Sequence, residues 1–302
     1  MFFSDDLDVD EYFCKNTRIC YWFYPKQLND LYKLRSSIIS VVETEKYLDF
    51  FLCAFSSILK SCSKWLTKSI KPQIDPQKQA KDVWEEFCKQ ILKMERANET
   101  SEVVEENNAE ILTQSVLELN ITEPFVDLLV TSPPYVTSYE YADIHQLSTL
   151  WLDYSPDYKH FRTGSIGSLY HSCDLRFNVP KLNQSGLTVV MQMYSVDKKQ
   201  AKAIAQYYVN MQAVVKKICN IVKKGGACLF VIGNTEYKNV KIDNARHLAE
   251  SLLNEGFYNV TIKRRKILNK ILTPYRDKNG KFSSDKTSRK IYSEEFLIFA
   301  QL

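Results

Sequence analysis

The chain has 302 residues, 45% of them hydrophobic and 25% charged, and a formal net charge of +4. That composition can bury an ordinary core in one large or two smaller domains, and no run approaches the ~20 consecutive apolar residues that a membrane-crossing helix needs. The start, MFFSDDLDVDEYF, is acidic where a secretory signal is basic, so a cytoplasmic protein without a membrane partner is expected.

The 8 cysteines (Cys14, Cys20, Cys53, Cys62, Cys88, Cys173, Cys219 and Cys228) form no CxxC pair and have no regularly spaced histidines. Buried free thiols are expected, with no metal site and no disulfide framework.

From about Pro25 to Asn108 apolar residues recur at helical spacing and glycine is absent, which marks residues 1–106 as a helical region. The spacing predicts one helix from Glu45 to about Ile70, with Phe51, Phe55, Leu59, Cys62 and Leu66 on its apolar face and Pro72 at its end. Lys60, Lys64, Lys68 and Lys71 fall on another stripe of that helix, with no acid between Asp49 and Asp75. Such a stripe is a candidate phosphate-contacting face, and a solvated face is the alternative.

KMERANETSEVVEENNAE, residues 93–110, is polar and acidic and reads as a helix tail leading into a linker. Beyond it, ILTQSVLEL, FVDLLV, GACLFVIGN, YNVTIKRRKI and SEEFLIFAQ read as strands that alternate with helices, so residues 107–302 are expected to form an α/β sheet. A helix from about Ser195 to Lys224 should close at Gly225 and Gly226 before the strand Ala227–Ile232, and a second should stop at Gly256. The last two strands, about 259–268 and 294–301, should pair as a hairpin around a basic loop. Residues 263–290 hold eleven basic residues against two acids, a local charge of +9 that leaves −5 for the rest.

PFVDLLV, read as a buried strand, runs directly into Thr131, Ser132, Pro133, Pro134 and Tyr135, which places these residues at the carboxyl edge of the sheet, where α/β folds bind ligands. Two prolines fix φ and remove two donors, leaving the carbonyls of Ser132 and Pro133 as rigid acceptors beside an aromatic ring. That set suits the grip of an exocyclic amino group on a base extruded from its duplex and stacked on Tyr135. The lone pair of such an amine is delocalised into the ring, and acceptors aimed at its hydrogens favour a more nucleophilic nitrogen. Transfer from a sulfonium then needs mainly alignment. No cysteine follows a proline here, which argues against chemistry at ring carbon.

DLLVTSPPYVTSYEYADIHQLSTLWL resembles the target-base segment of amino-DNA methyltransferases of the N4-cytosine and N6-adenine group, and GGACLFVIGNT, KILTPYRDKNGKFSS and YSEEFLIFA resemble the strands beyond it. The resemblance covers about residues 107–302, and the helical region 1–106 resembles the segment that precedes the motif in some members, which implies a role in DNA recognition or partner binding. It implies a partial Rossmann-like methyltransferase sheet, S-adenosylmethionine as donor and double-stranded DNA as substrate. Ser-Pro-Pro-Tyr is the form more usual for N4 of cytosine, and adenine N6 is the alternative; an RNA target is weaker. A restriction endonuclease is a further candidate partner.

The group holds its cofactor with a Phe-x-Gly-x-Gly turn after a first strand, and every glycine here lies beyond the proline motif. TGSIG, residues 163–167, reads as a turn in a polar loop. At the place of the group's adenine-binding acid stand Gln114 and Ser115. Two readings follow: a split enzyme whose second subunit carries the glycine-rich cofactor site, which is favoured, or a non-catalytic DNA-binding or specificity subunit. Cofactor contact from this chain is assigned to Thr131, Ser115 and Asn234, with a cap or turn the alternative for Asn234.

Tyr139, Asp143 and His145 are weaker pocket candidates, and Trp151 with Leu147 and Leu150 reads as core. The loop from Asp153 to Gly186, with Arg162 among its aromatic and basic residues, is a candidate strand-binding surface. Arg264, Arg265, Lys281 and Arg289 of the basic hairpin are assigned to phosphate contact.

Overall fold

The computed structural model of the chain describes residues 16–100, 109–120, 123–136, 139–170, 174–267, 275–277, 283, 285, 287–290 and 294–302. It divides into two compact units, Met1–Glu110 with Tyr141–Phe161, and Ile111–Glu140 with Arg162–Leu302. The segment that follows the proline motif therefore belongs with the helical third of the sequence.

The first unit comprises α1 (Thr17–Trp22), α2 (Pro25–Val41), α3 (Glu45–Ile58), α4 (Val83–Thr100), α5 (Tyr141–Ile144) and α6 (Gln146–Trp151). Its core joins Leu31, Phe55, Leu59 and Val83 to Leu147, Leu150 and Trp151. Trp22 stacks on Trp65 at 4.9 Å between ring centroids, and Phe23 and Phe55 meet Trp151 edge-on. The buried Gln146 amide accepts from both Arg18 Nε and Trp22 Nε1 at 2.8 Å. Trp151 is thus core, as its sequence context indicates.

The helix expected to reach Ile70 stops at Ile58. Serine hydroxyls compete for the backbone there: Ser61 Oγ donates to the Ile58 carbonyl and Ser63 Oγ to the Lys60 carbonyl, both at 2.9 Å. The chain then doubles back through an isolated bridge between Trp65 and Ile74. Lys60, Lys64 and Lys68 consequently form no helical stripe. Lys60 Nζ donates to the Ser69 carbonyl at 2.8 Å, and Lys64 Nζ lies over the Tyr24 ring.

The thiols are also less uniform than expected. Cys62 and Cys228 are buried, and burial raises both to about 11, whereas Cys20, Cys53 and Cys88 are exposed. Cys14 and Cys173 lie outside the described residues.

The second unit is built on a four-stranded sheet of order β1-β2-β8-β5, formed by β1 (Val126–Thr131), β2 (Val222–Ile232), β5 (Tyr258–Lys266) and β8 (Glu294–Gln301). β1 runs parallel to β2, and β8 is antiparallel to both β2 and β5. The sheet is therefore mixed, and β5 points the same way as β1 and β2. Short ladders β3 (Thr235–Tyr237) with β4 (Val240–Ile242) and β6 (Tyr275–Arg276) with β7 (Arg289–Lys290) flank it.

Between β1 and β2 come α7 (His160–Gly164), α8 (Leu175–Asn178), a 3-10 turn at Val179–Lys181, α9 (Gln184–Val196) and α10 (Lys198–Ile221); α11 (Asn244–Asn254) follows β4. One face of the sheet, carrying Cys228, Phe230, Ile232, Ile298 and Ala300, packs on Val190 and Met193 of α9, Tyr208, Met211 and Val215 of α10 and Leu248 and Leu252 of α11.

Three expectations fail here. PFVDLLV forms its strand, but at the edge of the sheet with Leu128 59% and Val130 61% exposed, so β1 is covered on one face only. ILTQSVLEL forms a turn around Val116–Glu118 and no strand, although Val116 and Leu117 do pack on the core. Gly225 and Gly226 do not end a helix: α10 stops at Ile221 and both glycines lie inside β2. A side chain at Gly226 would stand 2.9 Å from the Asp127 carbonyl oxygen, so close approach of β1 sets the glycine. Gly256, at φ +90°, is a left-handed end to α11 of the expected kind.

Candidate functional site

β1 delivers Thr131, paired with Phe230 of β2, to the sheet's carboxyl edge, and the proline motif begins at the next residue. Ser132 is exposed, Pro133 is buried, Pro134 and Tyr135 are half-buried, and Val136 is fully buried as the anchor of the turn. Ser132 Oγ donates to the carbonyl oxygen of Val231 at 3.0 Å. Its proton is committed there, so toward any further group this hydroxyl acts as an acceptor. Among the described residues the carbonyls of Ser132 and Pro133 accept no hydrogen bond.

The carbonyl of Pro134 is held from beneath, accepting the Tyr207 hydroxyl at 2.9 Å. The Tyr135 ring lies beside Gly233 at the end of β2, where an added Cβ would be 3.6 Å from the ring. Gly167, at φ +89°, brings the loop that follows α7 against the motif: a Cβ there would stand 3.5 Å from both the Tyr135 carbonyl oxygen and the Tyr207 ring. The next residue, Ser168, donates from Oγ to Glu140 Oε2 at 2.9 Å. TGSIG thus spans the end of α7 and a turn at residues 166–167 that packs on the proline motif.

Tyr207 and Gly167 carry no local signal in the sequence. Tyr207 sits in a helix whose spacing marks it simply as core, and Gly167 is one glycine of a polar loop. Only the fold brings residues 132–135, 167 and 207 together.

Of the residues assigned to the cofactor, Thr131 pairs with Phe230 at the end of β1, and Ser115 and Asn234 make local contacts. Ser115 Oγ accepts from the Leu117 amide within its own turn. Asn234 uses both ends of its amide at the start of α11, donating to Asp243 Oδ1 at 2.9 Å and accepting from the Ala245 amide at 3.0 Å. Among the described residues no glycine-rich turn follows a strand in the manner that a sulfonium nucleoside cofactor requires, and the fit to S-adenosylmethionine is poor.

The basic hairpin emerges at the same sheet edge as the proline motif, because β5 is parallel to β1 and β2. Its ladder is less positive than the sequence count suggests. Arg264 Nη1 lies 3.5 Å from Glu294, and Arg265 Nε donates to Glu295 at 2.6 Å. Both glutamates follow the basic run in sequence; in the β5–β8 register Glu295 stands opposite Arg265 and Glu294 opposite Lys266, diagonal to Arg264. Lys281 and the Arg289 side chain lie outside the described residues. The Arg162 guanidinium sits over the Tyr170 ring at 4.5 Å. Among the described residues no group of three or more His, Cys, Asp or Glu side chains is placed to hold a metal ion, and no helix is long and apolar enough to cross a membrane.

The chain is 24% identical over 277 residues to the type II methyltransferase M.MvaI of Kocuria varians, a match covering 84% of this chain and 60% of that protein. It therefore spans about three-fifths of the length of the curated relative it matches. No family model matches the sequence. A protein of Thermus thermophilus, described as a candidate DNA modification methylase, aligns with a TM-score of 0.24 and 10% identity over 36% of this chain and 40% of its own, a likeness too slight to bear on the fold.

Proposed function

We propose that this chain is the target-base half of an S-adenosylmethionine-dependent DNA methyltransferase, acting on the exocyclic amino group of a flipped base, with N4 of cytosine the favoured target and a second subunit supplying the glycine-rich cofactor site. The observation that carries the reading is the acceptor set at the carboxyl edge: the Ser132 hydroxyl, turned acceptor by its bond to Val231, beside the unengaged carbonyls of Ser132 and Pro133. Similarity to a type II methyltransferase over most of the chain supports it.

In this reading the partial Rossmann-like sheet aims those acceptors at the two amino hydrogens of the base and draws the nitrogen lone pair out of conjugation. Tyr135, backed by Gly233, offers its ring to the extruded base. Double-stranded DNA is assigned to the basic residues Arg162, Arg264, Arg265, Lys281 and Arg289, with Lys60, Lys64 and Lys68 contributing as separate charges. The methyl donor is assigned to the partner, because among the described residues no glycine-rich turn follows a strand and the Asn234 amide is engaged at both ends.

Production of the chain together with a polypeptide bearing a Phe-x-Gly-x-Gly turn, followed by nucleoside analysis of the DNA, tests the reading. N4-methylcytosine that disappears in Tyr135→Ala is the expected result. N6-methyladenine would move the target to adenine, and DNA left unmodified would favour a non-catalytic DNA-binding subunit.

A further inference from the structure

The carboxyl end of β2 is tied to the start of α11 by two asparagines whose bonds cross. Asn244, 1% exposed, donates from Nδ2 to the Gly233 carbonyl at 2.9 Å, and its Oδ1 accepts the Tyr208 hydroxyl at 3.4 Å. In the other direction Asn234, at the strand's end, donates to Asp243 Oδ1 and accepts from the Ala245 amide. Capping does not account for Asn244. Asp243 already caps α11 by taking the Arg246 amide at 3.1 Å, so the Asn244 side chain is spare at the first helical position and turns back to the strand. A buried amide needs both a donor's and an acceptor's partner, and Gly233 and Tyr208 supply them in one orientation.

The residue held in this way is the backing of the Tyr135 ring: a Cβ at Gly233 would stand 3.6 Å from Tyr135 Cε1 and 3.7 Å from Cζ. Two consecutive residues of α10 thus reach the two sides of Tyr135. Tyr207 holds the Pro134 carbonyl at the root of the ring, and Tyr208 holds Asn244, which holds the backbone against which the ring lies. A base stacked on a tyrosine takes its plane from that ring, so the setting of Gly233 sets the plane of the base. From this, and resting on the target-base reading above, we infer that Asn244 is a positioning residue for Tyr135: with Asn234 it clamps Gly233 against the ring and fixes the surface on which the extruded base stacks. Asn244 acts through Gly233 alone. Its loss leaves the acceptors at Ser132 and Pro133 in place and tilts the base that they have to meet, and misalignment of that kind is read in the chemical step.

The test uses the full chain with 3-fluorotyrosine placed at position 135, whose single fluorine resonance reports the setting of that ring. Spectra are compared for the wild type, Asn244→Ala, Asn234→Ala and Ser251→Ala. Ser251 is the control, a buried residue of α11 whose hydroxyl bonds to the His247 carbonyl and the Asn183 amide rather than to the end of β2. The inference predicts that each asparagine variant moves or broadens the resonance and that Ser251→Ala leaves it in place. An unmoved resonance in either asparagine variant, or an equal change in Ser251→Ala, would overturn it. Asn234 is half-buried, so its variant decides even where Asn244→Ala folds poorly. In the assembled enzyme Asn244→Ala should lower kcat on the order of 10-fold with the KM for DNA little changed. A ring that moves in a chain whose complexes leave DNA unmodified would keep the clamp and remove the proposed reaction; a methylating complex with full kcat in Asn244→Ala would do the reverse.

Discussion

The Tyr207 hydroxyl donates a 2.9 Å hydrogen bond to the carbonyl oxygen of Pro134, tying the long helix α10 to the turn that carries the acceptor set. Tyr207 is 1% exposed, so the bond is made away from solvent, and the same ring packs against Gly167. The contact orients the turn without reaching the acceptors themselves.

Tyr207→Phe keeps the packing and deletes this one bond. The stability cost should be about 1 kcal/mol, read from chemical denaturation. Methylation by the assembled enzyme should fall on the order of 10-fold in kcat with the KM for DNA little changed. A loss in KM alone would place Tyr207 outside the positioning of the turn.

Gly226→Ala should weaken the β1–β2 junction. The added methyl would lie 2.8 Å from Val222 Cγ1 and 2.9 Å from the Asp127 carbonyl oxygen, and both strands resist the shift. A loss of about 1–3 kcal/mol is expected. Gly164→Ala, where an added Cβ meets nothing within 4 Å, is the control and should unfold as the wild type does.

Four of the five expected strands, the hairpin and the placement of the proline motif are legible in the sequence because short branched runs and a Pro-Pro pair act locally. Residues 59–70 look helical because apolar spacing continues through Leu66, while the hydroxyls of Ser61 and Ser63 and the Trp65–Ile74 bridge decide the backbone. Gly225 and Gly226 look like a helix end, since no local feature announces that a strand from a hundred residues earlier comes close. The pairing of Arg264 and Arg265 with Glu294 and Glu295 is hidden for a similar reason, as it depends on register across the hairpin.

That pairing yields a prediction on DNA binding. Glu294→Gln with Glu295→Gln should release both arginines and strengthen binding to DNA of any sequence, with the plot of log affinity against log salt steeper by roughly 1–2. Arg264→Ala with Arg265→Ala should change affinity in the opposite sense. An unchanged slope in both variants would show that these arginines serve the hairpin alone.

His247 provides a pH signature of the fold. It is buried and stacked on Tyr208 at 3.9 Å, its Nε2 faces Gln212 Oε1 at 3.3 Å, and burial pushes its pKa down to about 3. The unfolded chain takes up this proton near pH 6.5 and the folded chain does not, so stability is full above that pH and declines as pH falls from 6.5 toward 3. By pH 5 the loss should be about 2 kcal/mol relative to pH 7.5. Urea unfolding of wild type and His247→Leu at the two pH values checks it: the pH-dependent part should shrink in the variant, and an identical loss in both would assign it to other groups.

The account turns on half an active site, a base pocket in this chain with the methyl donor held by another. Titration of the purified chain with S-adenosylmethionine by calorimetry tests that most directly. No saturable heat is the predicted result, and tight binding by the chain alone would contradict it.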